Sequence, residues 1–155
     1  MSDRLALLAR RLRQLDRMRE YLAYSLEQMH PLLPITNWAA LSEENHETLA
    51  AFRVRFSEFQ EHLGKAMRAV AIEEEQTVEP FTGVLLYMEK LGVIDSANAW
   101  KELRELRNAI NHEYEENPQR LAAFFKEVAQ AIPSLMSWHQ QLREFCAKNY
   151  GIRCG

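Results

Sequence analysis

Apolar residues recur along the N-terminal part of the chain at steps of three and four. Leu5, Leu8, Leu12, Leu15, Met18, Leu22, Leu26 and Met29 keep this rhythm, which lines one face of a helix. The run PLLP at 31–34 ends that helix, because proline lacks an amide donor and turns the preceding residue away from helical geometry. A loop of about a dozen residues leads to Ser42, after which Leu49, Phe52, Phe56, Phe59, Leu63, Met67 and Val70 resume the pattern up to the acidic run EEEQ at 73–76. Two long amphipathic helices joined by such a loop are expected to pack antiparallel in one bundle rather than to extend as a coiled coil.

The segment FTGVLLYMEKLGVI predicts a shorter, more buried helix from Phe81 to Leu91, with Pro80 at its start and Gly92 suited to a left-handed residue after its end. Asp95 and Ser96 then offer capping oxygens before WKELRELRNAINHEY, and Asn117 with Pro118 closes that fourth unit. A fifth helix from Gln119 to Lys148 is read from Leu121, Phe125, Val128, Ile132, Leu135, Trp138, Leu142 and Phe145, with a kink expected at Pro133. No stretch alternates as a strand does, and no internal repeat is visible. The expected fold is all-α: a single domain over residues 1–155, built as an antiparallel bundle of about five helices.

Composition narrows the chemistry. An apolar fraction of 47% fits a globular chain with a real core, and a formal net charge of -3 argues against a surface coated in positive charge, though not against a local basic cleft. The two cysteines, Cys146 and Cys154, form no C-x-x-C pair, so a reducing cytoplasm is the expected location. The start MSDRLALLARR carries charge before any apolar run and does not read as a secretory signal. The uncharged stretch from Val128 to Leu142 is broken by Pro133, His139 and glutamines, so no membrane span is expected. The histidines have no zinc spacing and the glycines no phosphate-loop pattern, and neither a metal nor a cofactor is expected. His62 and His139 read as polar edges of their helices, the three tryptophans as packing residues, and Arg10, Arg11, Arg13, Arg17 and Arg19 as a basic face on the first helix.

The densest chemistry lies in LRNAINHEY, residues 106–114. On a regular helix Asn108 and His112 stand one turn apart on one face, Arg104 extends the row of Arg107, and Arg107 and His112 project roughly 140° from each other. A bend near Asn111, or a second copy of the chain across a twofold axis, would be needed to bring guanidinium and imidazole together. Taken singly, each of these residues also suits a helix C-terminus, where cationic side chains meet the negative end of the macrodipole.

The stretch RNAINHEY resembles the R-x4-H-x-Y signature of the HepT-type toxins in the HEPN superfamily (higher eukaryotes and prokaryotes nucleotide-binding), and MEKLGVIDSANAWKELRELRNAINHEY from Met88 is similar to the corresponding part of that family. The resemblance implies a homodimeric, metal-independent endoribonuclease toxin of a toxin-antitoxin pair, partnered by a minimal nucleotidyltransferase antitoxin. It assigns Arg107 to the scissile phosphate and His112 to proton transfer, with Asn108 orienting the substrate or the histidine, and Arg104, which extends the arginine row, is taken as a further substrate-binding residue. Tyr114 matches the tyrosine that the antitoxin modifies with AMP, an off-switch that places anionic bulk in the cleft. The other function carried by similar sequences is that of a nucleotidyltransferase substrate-binding subunit with no chemistry of its own.

Overall fold

The structure is a computed structural model and describes residues 2–112 and 117–153. Within them the chain forms α1 (Asp3–Met29), α2 (Glu43–Glu73), α3 (Phe81–Leu91), α4 (Ala97–His112) and α5 (Pro118–Tyr150), with short 3₁₀ turns at His30–Leu32 and Trp38–Ala40. No strand occurs among the described residues, and none of the helices is long and apolar enough to cross a membrane. The fold class and the element order follow the expectation.

The helix ends show why the boundaries fall where they do. Ser2 Oγ accepts from Leu5 N at 3.2 Å and Ser42 Oγ from Asn45 N at 3.0 Å, so both long helices start on a side-chain cap. Helix α4 starts on two such oxygens. Ser96 Oγ accepts from Ala99 N at 3.0 Å, and Glu89 Oε1 reaches across from α3 to accept from Ala97 N at 2.8 Å. Gly92 and Gly151 follow α3 and α5 at φ 77° and 69°, the left-handed geometry that favours glycine. Asn117 was expected to close α4, and residues 113–116, which join it to that helix, lie outside the described residues. The Asn117 Oδ1 accepts from Arg120 N at 3.2 Å and so opens α5, with Pro118 in the first turn, where its missing N–H has no helical role. Helix α5 also continues through Pro133, which is exposed.

Helices α1 and α2 form an antiparallel hairpin, and α2 lies between α1 and α4 while α5 closes the other side. The core stripe of α2, from Phe52 through Phe56, Phe59 and Leu63 to Val70, is fully buried, each such side chain contributing on the order of 2 kcal/mol. Trp38, in the loop after α1, stacks on Phe125 of α5 with ring centroids 6.1 Å apart.

His139 is not a polar edge: its side chain is only 4% exposed. Arg19 Nη1 lies 2.9 Å from its Nδ1 and Asp16 Oδ1 lies 3.1 Å from its Nε2. Arginine can only donate, so Nδ1 accepts and the protonated Nε2 donates to Asp16. Asp16 also receives both Nε and Nη2 of the buried Arg143, at 3.1 and 2.5 Å. Burial pushes the imidazole down to about 4, with the nearby Arg19 acting in the same direction and Asp16 opposing it. Thus Arg19, from the basic row on α1, turns inward to join α1 to α5. At the far end of the bundle Glu74 accepts from Tyr150 Oη at 2.8 Å and from Tyr87 Oη at 3.4 Å. Burial and the Glu74 hydrogen bond raise the Tyr150 phenol, and burial pushes the Cys146 thiol up to about 12, which makes it an inert packing group.

Candidate active site in the groove between α2 and α4

Gly64 sets the distance between these two helices. A Cβ on it would stand 3.2 Å from Trp100 Cζ2, so any other residue presses on the indole, which would have to give by a few tenths of an ångström. Trp100 is buried on its other side by Trp138, with ring centroids 5.8 Å apart. This close approach brings the polar face of α4 to side chains of α2.

Arg107 Nη1 donates to Gln60 Oε1 at 2.6 Å, and Nη2 donates to Asn108 Oδ1 at 3.2 Å. Gln60 is 1% exposed, so one edge of the guanidinium is anchored on a buried acceptor. Two of the five guanidinium donors are used in this way. One turn on, Asn111 accepts from Arg53 Nη1 at 2.8 Å and donates to Ser57 Oγ at 3.1 Å. Arg104, Arg107 and Asn111 therefore form the α4 row that faces α2, at the helical steps of three and four.

Beside this row lies a cavity of about 230 Å³. Arg104 and Arg107 line it from α4 and Lys65 and Arg68 from α2, with Phe81 and Trp100 as apolar wall and Glu61 as its acidic member. Lys65 pairs with Glu61 at 3.8 Å and Arg68 with Glu79 at 3.5 Å, both at exposed positions, where such pairs contribute little and yield to another anion. Four cationic side chains border this groove, which raises the local positive potential on a chain of net negative charge.

His112 is exposed, in the last turn of α4, and does not line this groove. Nothing in the described chain bends α4 to bring it to Arg107, since the helix is regular through His112. The roughly 140° between the two positions on a regular helix therefore stands. Asn108, also exposed, serves Arg107 directly. Tyr114 lies outside the described residues. Among the described residues no group of three His, Cys, Asp or Glu side chains could hold a metal.

Three contributors from α2, Arg53, Ser57 and Gln60, were not singled out in the sequence. Their signal is nevertheless there. With Gly64 they run at steps of four, three and four beside the phenylalanine stripe, and a glutamine so close to the buried face needs a partner. No family model, no curated protein and no solved structure matches this chain.

Proposed function

We propose that the protein is a metal-independent endoribonuclease of the HEPN type, working as a homodimer and neutralised by AMP transfer to Tyr114 from a nucleotidyltransferase partner. One observation carries the reading: Arg107, the first residue of the R-x4-H-x-Y spacing, is held by Gln60 and Asn108 at a groove lined by three further cations. Cutting RNA without metal needs fixed positive charge on the phosphate, a base for the 2′-hydroxyl and an acid for the leaving 5′-oxygen. The α2–α4 groove meets the first need. His112, exposed at the end of α4, meets the others only when a second copy presents its imidazole to the groove, as twofold pairing allows. In this scheme the imidazole accepts the 2′-hydroxyl proton, the 2′-oxygen forms a bond to phosphorus as the bond to the 5′-oxygen breaks, the imidazolium gives its proton to the departing 5′-oxygen, and a cyclic phosphate remains.

The same separation of Arg107 and His112 favours a second reading for a chain that acts singly. One copy holds an anion without a group for proton transfer, as a substrate-binding partner subunit would. Purified, unmodified protein incubated with RNA in chelator separates the two. The expected result is cleavage to cyclic-phosphate ends by the native protein and a loss of at least about a hundredfold in His112→Ala and Arg107→Ala. Equal inactivity of three folded proteins would overturn the nuclease reading and favour the binding subunit instead. Co-expression with the nucleotidyltransferase followed by mass spectrometry of the Tyr114 peptide tests the switch, with a mass gain of one or more AMP units expected.

A further inference from the structure

The Arg107 groove has a neighbour. A second cavity, of about 520 Å³, lies between α1 and α2 and shares Lys65 and Arg68 with the first as a common wall. Its α1 side carries Arg4 and Arg11, two turns apart on one face, and its floor is apolar, with Leu7, Leu8 and Ile72. Because α2 lies between α1 and α4, the cations form one row across three adjacent helices: Arg4 and Arg11, then Lys65 and Arg68, then Arg104 and Arg107. With neighbouring axes about 8–10 Å apart, the row spans on the order of 20 Å. The chain as a whole carries a net charge of -3, so this concentration is local.

Three carboxylates stand beside the row. Glu73 pairs with Arg4 at 3.4 Å, Glu61 with Lys65 and Glu79 with Arg68. In each pair the cation is at least 44% exposed, and exchanging such a carboxylate for a phosphate costs little. Arg11 has no ion-pair or hydrogen-bond partner among the described residues.

We propose that the α1–α2 groove is a second binding segment for single-stranded nucleic acid, carrying the strand away from the Arg107 groove over the Lys65–Arg68 wall. This rests on the reading of the Arg107 groove as a nucleic-acid site. The shape favours a strand over a compact anion: the cations are strung out in a row along the groove, which suits phosphates at intervals along a backbone. Arg10, Arg13 and Arg17 of the basic face on α1 are exposed and line neither groove, and Arg19 turns inward to His139.

The test is fluorescence anisotropy with a labelled 2′-O-methyl oligoribonucleotide of about 12 residues, which binds but cannot be cut through its 2′-oxygen, titrated between roughly 50 and 200 mM salt. Arg4→Gln with Arg11→Gln is expected to weaken binding about tenfold and to make the salt slope shallower by roughly 1.4, the value for two phosphate contacts on a single strand. Arg13→Gln with Arg17→Gln, the same charge change outside both grooves, is expected to stay within about twofold of the native protein. Equal weakening by both pairs, unchanged binding in the first pair, or displacement of the oligonucleotide by an oligoglutamate peptide at matched charge would overturn the proposal. Cleavage of unmodified RNA is measured in parallel. Loss of binding in the first pair, with no cleavage by the native protein, supports the second segment and overturns the nuclease reading alone.

Discussion

At the scale of single residues, Gln60 and His139 are the informative side chains, because each is a buried polar group whose partner fixes its role. Gln60 presents its oxygen to Arg107, a hydrogen bond to a charged group worth about 1.5–3 kcal/mol. Gln60→Met keeps the volume and removes the acceptor. It is expected to slow RNA cleavage roughly tenfold to a hundredfold by freeing the guanidinium, with only a small change in the thermal midpoint. His139 makes stability depend on pH. Its folded value near 4 lies below the ordinary 6.5, so above about pH 6.5 it is neutral in both states and contributes no pH dependence. As pH falls from about 6.5 to about 4 the unfolded chain takes up the proton first, and folding loses up to roughly 3 kcal/mol before the loss levels off. Urea unfolding at pH 7, 5.5 and 4.5 should show this slope in the native protein and a shallower one in His139→Gln.

Between elements, two contacts decide how the helices sit. Asp16 gathers Arg143 and His139 of α5 onto α1. Asp16→Ala leaves the Arg143 guanidinium buried without its carboxylate and is expected to cost roughly 3 kcal/mol. Arg143→Met, which removes the buried charge itself, should cost distinctly less, and chemical denaturation of the two variants gives the order directly. Gly64 performs the matching task between α2 and α4. Gly64→Leu drives a side chain into Trp100, already held by Trp138, and is expected to destabilise by roughly 1–3 kcal/mol despite the better helix propensity of leucine. The same change should lower RNA binding, because the groove that Arg107 lines is built on this close approach.

For the whole molecule, the proposed nuclease reading requires a cation-lined groove and an imidazole on another face of the same helix to act on one bond. Two copies related by a twofold axis meet that requirement if each groove takes its His112 from the partner. Mixing Arg107→Ala with His112→Ala protein and allowing subunits to exchange should then restore activity to about one quarter of the native level, since half of the dimers are mixed and each has one intact site. Activity no higher than that of either parent would place arginine and histidine in the same copy and remove the reason for pairing. Sedimentation at several concentrations gives the oligomeric state alongside.

How much of this was legible in the sequence follows from what kind of information each feature needs. The helices, the cap at Ser96, the left-handed Gly92 and the all-α class are written in local order, because spacing at three and four residues and capping chemistry act within a few residues of the chain. That Asn117 caps the start of α5 was not read, since a capping side chain looks the same from either side until its hydrogen bond is seen. The motif arginine was visible as well. What only the tertiary structure decided is which groups meet it: Gln60 stands 47 positions from Arg107 and Asp16 stands 127 from Arg143. Periodicity says which face of a helix is buried but not which helix covers it. A polar side chain on a buried face takes its meaning from the partner that desolvation obliges it to find.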